Sequence, residues 1–369
     1  MVNKERILDN FKSLVALDSP SYNERLVCDW IKSYLAELGI EAVEDNAGDK
    51  IGGTTGNLYA YIDGGIAKKP ILFSAHMDTV EPSHGKTAVF HEDGTITSDG
   101  TTVLGSDDLA GVVAILEGLT VLKENNLPHR PIELLLTVDE ETHCGGSANF
   151  DYSKIKSESA YVFDMDGEPG EAASSAPSIL SYKVNFLGKA AHAGFEADNG
   201  IHAIKAAAEA VTKIPCGNID KGVTANVGII SGGKATNIIP DCCEITGEIR
   251  SFDADKVESR INEVIDICKT AAEKIGAEIE EEHSVLVKAF NTPDDTETVR
   301  YFKKVCDDLG MSGKTFPTFG GSDANTFAQH GIEGIVVSTG MNNCHAVNEY
   351  TTVNELVNAS RLAFALMKN

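Results

Sequence analysis

The chain has 369 residues, more than one hydrophobic core usually supports, so two domains are expected. Its net charge of −25 disfavours nucleic acid or an anionic membrane as partner and suits solubility. No apolar run approaches the ~20 residues that span a bilayer. The first ten residues lack the apolar centre of a secretion signal, and eight cysteines without Cys-x-x-Cys spacing are too sparse for a disulfide scaffold. Reduced thiols in a cytoplasm are therefore expected.

Ile7, Leu8, Phe11, Leu14 and Val15 recur at helical spacing, up to a break at Asp18-Ser-Pro20. Leu26, Val27, Trp30, Ile31, Tyr34, Leu35 and Leu38 form a second stripe, with Gly39 suited to the position after its end. Residues 40–45, 57–62 and 70–77 read as strands. The segment 82–103 is polar, with Asp93-Gly94 and Asp99-Gly100 as expected hairpin turns. Gly105-Ser-Asp-Asp-Leu-Ala-Gly111 then opens an apolar helix that ends near Asn125. Strands alternating with helices predict a largely parallel sheet.

After Ala176-Pro-Ser178 the pattern changes. Strands are expected over 181–187, 224–230, 244–251 and 277–287, with helices over 200–214 and 253–275. The order β-α-β-β-α-β is ferredoxin-like and long enough for its own core. The α/β pattern resumes after Asn291-Thr-Pro293 with helices at 295–309 and 353–367. The expected organisation is a first domain from 1–178 and 290–369, interrupted by an inserted domain over 179–289.

Four stretches share one design. Ile71-Leu-Phe-Ser-Ala75 runs into His76 and Asp78, and Pro131-Ile-Glu-Leu-Leu-Leu-Thr-Val138 into Asp139, Glu140 and Glu141. Ala160-Tyr-Val-Phe163 runs into Asp164 and Asp166, and Gly334-Ile-Val-Val-Ser-Thr-Gly340 toward His345. Ligands collect at the carboxyl ends of strands in open α/β sheets. Imidazoles and carboxylates gathered there suit zinc, manganese or cobalt. Each residue also has a plainer reading. Asp107-Asp108 are suitable helix caps, and Glu140-Glu141 could form a solvated turn. However, two unpaired carboxylates against so apolar a strand would be costly without a cation. His84, His91, His129, His143, His202, His283 and His330 read as surface residues, and Cys144 and Cys344 as packing or bystander thiols, with thiolate ligation the lesser alternative.

The set Ser74-Ala-His-Met-Asp-Thr-Val80, Gly105-Ser-Asp-Asp-Leu-Ala-Gly111, Val138-Asp-Glu-Glu141 and Asn343-Cys-His-Ala346 resembles the di-zinc exopeptidases, nearest the peptidase T branch of tripeptide aminopeptidases. The resemblance runs over essentially the whole chain. It implies a mixed, mostly parallel α/β sheet flanked by helices, with the ferredoxin-like α+β insertion acting as a lid and dimerisation domain. It also implies two divalent metal ions, most simply zinc, with His76 and Asp164 on one, Glu141 and His345 on the other, and Asp107 bridging. Asp78 would orient His76, and Glu140 would be the general base acting on a metal-bound water. Asp166 is the rival to Asp164. Neighbours in an extended chain point opposite ways, which would separate Glu140 from Glu141.

In the insertion, His192 of Gly188-Lys-Ala-Ala-His-Ala-Gly194 matches the lid histidine that helps hold the oxyanion in a partner's site. Asn237 and Arg250 match substrate-contacting positions, and a guanidinium suits a peptide carboxylate. Gly320-Gly-Ser-Asp323 resembles a loop near the family's site. Leu109 stands where relatives commonly carry Lys. The implied function is hydrolysis of short peptides by a homodimeric aminopeptidase. The alternatives are a carboxypeptidase or N-acyl amino acid deacylase of the same family, or a metal-binding protein without catalysis.

Overall fold

The computed structural model describes residues 1–368. The chain divides into two compact units. Met1–Ser175, Asn291–Thr318 and the chain from Ser322 onward make the first; Ala176–Phe290 with Phe319–Gly321 make the second. The sequence reading places the joints after residue 178 and before residue 290.

Nine strands among the described residues form the main sheet of the first unit. Their order is Val43–Glu44, Leu58–Ile62, Ile132–Thr137, Ile71–His76, Ser159–Asp166, Glu333–Met341, Glu171–Ala176 and Phe290–Asn291, with Lys314–Pro317 also pairing Glu171–Ala176. The central strands Ile71–His76, Ile132–Thr137, Ser159–Asp166 and Glu333–Met341 are mutually parallel, while the pairings toward Leu58–Ile62 and Val43–Glu44 are antiparallel. Ile71–His76 and Ile132–Thr137 are buried along their whole length. This explains why their apolar residues run continuously instead of alternating. The helix Ser106–Glu124 packs on the central strands and against the helix Val353–Met367. It is buried from Ser106 through Leu122, so it shows no polar face. Parallel strands bring their carboxyl ends to one side, where His76, the turn after Thr137, Asp164 and the loop after Met341 lie together.

In the second unit five strands form an antiparallel sheet in the order Gly217–Asp220, Val223–Gly232, Cys242–Ser251, Ser178–Leu187 and Glu278–Val287. Helices Ala203–Val211 and Ala254–Glu273 supply the rest of its core, through Ala203, Ala206, Ala207 and Ala210 and through Val257, Ile261, Val264 and Cys268. No helix among the described residues is long and apolar enough to cross a membrane.

Several local expectations need correction. Only Val43–Glu44 of 40–45 pairs as a strand. Asp93-Gly94 turns the Val89–Phe90 and Thr95–Thr97 hairpin. Asp99-Gly100 joins no strand pair; the Asp99 side chain accepts from Thr101 N instead, a local bond available without a ladder. The edge strand Gly217–Asp220 and the strand Glu171–Ala176 are too polar or small-residue-rich to stand out by periodicity. His129 is buried, not on the surface; its backbone pairs with Gly64, where a Cβ would lie 2.0 Å from His129 O.

Candidate metal centre

His76 is the last residue of its strand and is buried. Its Nε2 lies 3.1 Å from Asp107 Oδ1 and 3.6 Å from Asp164 Oδ1, and its Nδ1 is 3.0 Å from the Asp78 carbonyl and 3.3 Å from Asp78 Oδ1. Asp78 is fully buried. Its carboxylate accepts from Glu140 N at 3.0 Å, Glu141 N at 3.2 Å and Ser21 Oγ at 2.7 Å. One side chain thus ties the first strand end to the turn after the second.

The Asp107-Asp108 pair divides the metal and capping readings between its members. Both residues depart from helical geometry inside Ser106–Glu124, with Asp107 at ψ 100°. Asp108 turns inward: Oδ2 accepts from His76 N at 3.1 Å and Oδ1 from Gly111 N at 3.3 Å, as a cap does. Asp107 projects the other way, between the two histidines, with Oδ2 3.2 Å from His345 Nε2. A Cβ at Gly111 would lie 2.0 Å from Phe163 O, so only glycine lets the helix start pass this close to the strand that carries Asp164.

Glu140 and Glu141 do not lie in extended chain, so strand alternation is not what separates them. The strand ends at Thr137, Asp139 has φ 55°, and Cys144 N donates to Glu140 O at 2.8 Å, closing a turn. The turn nevertheless separates the carboxylates. Glu141 Oε2 sits 2.9 Å from His345 Nε2, while ligand-type atoms of Glu140, Asp164 and His76 fall within 4.8 Å of one another. A second group of this kind is His76, Asp107 and Glu141. His345 reaches the site from a loop at φ 64°. Asp166 is exposed at its strand end.

The charges are unbalanced. Among the described residues no Lys or Arg pairs with Asp78, Asp107, Glu140, Glu141 or Asp164. Burial pushes the Glu141 carboxyl up to about 7, helped by Asp107, and the Asp164 carboxyl up to about 6. Burial, then the Asp164 charge, raises Glu140. Burial also favours the protonated form of Asp107, but hydrogen bonds from His345 and His76 outweigh it and hold the group low. The Asp107 and Glu141 carboxylates lift His345 to about 10. In His76 burial opposes the charge, but Asp164, Asp107 and Asp78 win and the pKa rises. The site therefore binds protons where it could bind cations. Glu141 Oε1 is buried without any hydrogen-bond partner. An orphaned carboxylate oxygen within a mixed imidazole–carboxylate set fits divalent metal.

Three further residues support this set: Glu349, which the sequence reading does not single out, Asp323, which it notes only as part of a loop, and Cys144, which it reads as a packing thiol. Glu349, buried, accepts from Gly105 N at 2.8 Å, Ser106 Oγ at 2.6 Å and Asp107 N at 3.0 Å. Asp323, of the Gly320-Gly-Ser-Asp323 loop, accepts from Thr137 Oγ1 and Ser147 Oγ, each at 2.5 Å. Cys144 Sγ lies 3.5 Å from Glu140 Oε1. Glu349 carries no local pattern beyond being an acidic residue soon after His345. Leu109 is fully buried in the core, where an ammonium would need a partner.

His192, Asn237 and Arg250 belong to the second unit. His192 and Asn237 are neighbours: Ala193 N donates to Asn237 O at 3.0 Å, and His192 bridges Ile238. His192 Nδ1 accepts from Gly194 N at 3.1 Å and Phe195 N at 3.2 Å, which places the ring N–H on Nε2. Arg250 is elsewhere. The register pairs Cys242 with Leu187, near the His192 loop, and Arg250 with Ile179, so eight residues of strand, about 26 Å, separate the two ends. Arg250 there pairs with Glu248 at 2.8 Å and donates to Phe319 O at 2.7 Å. Within one copy of this unit, Arg250 and the His192 loop therefore lie toward opposite ends of the strand pair.

A family model described as a peptidase dimerisation domain matches residues 175–276, and one described as peptidase family M28 matches residues 57–212. A tripeptidase from Staphylococcus aureus is 30% identical, with a TM-score of 0.95, over 100% of this chain and 98% of its own. Aminopeptidase PepT from Bacillus cereus is 35% identical, with a TM-score of 0.90, over the same shares. The uncharacterized protein YqjE of Bacillus subtilis is 36% identical over 100% of this chain and 99% of its own length.

Proposed function

Since the chain belongs to the M20 family of metal-dependent peptidases, together with tripeptidases and PepT-type aminopeptidases, we propose that it removes the amino-terminal residue from short peptides, tripeptides above all, as a cytoplasmic homodimer. The observation that carries this reading is the convergence of His76, Asp107, Glu141, Asp164 and His345, with Glu140 beside them and one carboxylate oxygen of Glu141 buried without a hydrogen-bond partner.

His76 and Asp164 would hold one divalent ion, Glu141 and His345 the other, and Asp107 both; zinc suits this donor set, with manganese or cobalt as alternatives. When bound, the ions supply Lewis acidity that polarises the scissile carbonyl and acidifies a water. Glu140 takes the proton of the attacking water on its carboxylate and returns it to the leaving amine. Asp78 holds the His76 ring through Nδ1, leaving Nε2 free for metal, and fixes the Glu140–Glu141 turn. His192, with its N–H on Nε2, donates to the oxyanion of the partner's substrate. Asn237 assists from the same loop, and Arg250 grips the peptide's free carboxylate. The separation of Arg250 from His192 within one copy supports a site completed by two copies.

The test is Glu140→Gln on a tripeptide panel with free and blocked ends. Turnover should fall by about 10²–10⁴-fold while metal content stays at the wild-type level. Undiminished turnover in this variant rejects Glu140 as base. Cleavage of amino-blocked peptides in preference to free ones would instead favour a carboxypeptidase or N-acyl amino acid deacylase.

A further inference from the structure

Cys144 has φ 61°, in the left-handed region that penalises any residue with a Cβ. Glycine would occupy this position without that penalty, and glycines follow at 145 and 146. The chain instead keeps a thiol here, 2% exposed, with Sγ 3.5 Å from Glu140 Oε1. Among the described residues nothing else donates to the Glu140 carboxylate.

The backbone leaves the thiol little freedom to be elsewhere. Cys144 N donates to Glu140 O at 2.8 Å, Gly145 N to Asp139 O at 2.8 Å and Gly146 N to Val138 O at 3.0 Å. A Cβ at Gly146 would lie 2.1 Å from Val138 O, so the turn cannot shift toward the strand. Burial and the Glu140 charge both favour the protonated thiol, so the sulfur keeps its hydrogen and acts as a donor.

We propose that Cys144 is a positioning residue for the catalytic base: its S–H donates to Glu140 Oε1 and turns the other carboxylate oxygen toward the attacking water. The proposal rests on Glu140 being the base. An S–H donor is weak, which suits the role, because it sets direction without strongly lowering the basicity of the carboxylate. No bond to sulfur forms or breaks in the reaction.

The experiment compares Cys144→Gly, Cys144→Ala and Cys144→Ser with wild type and Glu140→Gln, reading kcat, KM, metal content and thermal midpoint. Small misplacements of a reacting group can cost up to about 10²-fold; for this orienting bond, kcat should fall about tenfold in the glycine and alanine variants. KM and metal content should hold. Serine, which keeps a donor, should recover most of kcat. The glycine variant suits the backbone conformation, so loss of activity there is not explained by strain; if it fails to fold, the alanine–serine pair decides. Wild-type kcat in the alanine variant overturns the proposal. So does an equal loss in alanine and serine, which would make bulk or sulfur the requirement, or loss of metal in the serine variant, which would make the thiol a ligand. If Glu140→Gln is inactive and the cysteine variants are not, only this proposal falls; if Glu140→Gln is active, the assignment of the base falls first.

Discussion

Glu349 Oε1 accepts a hydrogen bond from the backbone nitrogen of Asp107 at 3.0 Å, across 242 positions of sequence. The same carboxylate takes Gly105 N and Ser106 Oγ, so it holds the whole entry to the helix where Asp107 leaves helical geometry. Glu349→Ala would strand these donors in a buried site. An unsatisfied buried group costs about 1–3 kcal/mol, so we expect a stability loss of about 3 kcal/mol in urea unfolding. Metal affinity should also weaken, because the Asp107 carboxylate loses its fixed position. Glu349→Gln, still an acceptor, should be milder in both. An alanine variant as stable as wild type, with the same metal affinity, would show that Asp107 needs no such support.

Metal binding should release protons at neutral pH. Asp107 and Glu141 stabilise the His345 cation and lift it to about 10, and burial pushes the Glu141 carboxyl up to about 7, so both groups hold their protons more tightly than usual. Ligands must be deprotonated to bind. Affinity should therefore rise as pH rises from 6 to 8, and calorimetry in buffers of different ionisation enthalpy should show net proton release at pH 7. Proton uptake, or affinity that falls with pH, would contradict the assigned ligand set.

Away from the site, Glu44 should make part of the stability acid-labile. A hydrogen bond from Arg25, at 2.5 Å, is the largest influence holding its carboxyl down at about 2, with Thr55 and Lys32 adding to it, against a usual value of 4.5. A depressed folded-state value stabilises the fold above the unfolded pKa, and the contribution is lost as pH falls from 4.5 toward 2. The Glu44 side chain is 21% exposed and its partner Arg25 37%, so solvent screening reduces the gain to about 1 kcal/mol. Urea melts of wild type and Glu44→Gln should differ at pH 6 and converge near pH 2. A difference that persists at pH 2 would point to lost packing.

The distance between Arg250 and His192 makes a prediction about assembly. Arg250→Ala and His192→Ala homodimers should each be nearly inactive. If each site uses Arg250 of one copy and His192 of the other, mixing and exchanging subunits should restore activity. Half of a random mixture is heterodimer, and each heterodimer has one intact site, so recovery should approach about one quarter of wild type. No recovery despite demonstrated exchange would place both residues in the service of one copy's site, or of none.

Much of the first unit was legible because its central strands are buried on both faces and therefore written as continuous apolar runs, each ending in a histidine or a carboxylate. The helix Val353–Met367 matched its expected span for a similar reason: its apolar stripe is long, and Thr352 caps its start. The weak edge strands were not legible, because their pairing partners specify them more than their own residues do. The turn at Asp139–Cys144 was misjudged as extended chain; a left-handed aspartate leaves no periodic trace.

By itself the sequence determined which chemical groups could meet: two histidines and a set of carboxylates at strand ends, types that are written locally and survive without coordinates. Only the tertiary structure decided how they meet. It set Asp107 between His76 and His345, made Asp78 the strut of the Glu140–Glu141 turn, placed Glu349 beneath Asp107 and Cys144 against Glu140, and drew Arg250 away from His192. These relationships depend on strand register and on contacts across up to 242 positions of chain, and local patterning carries no information about either.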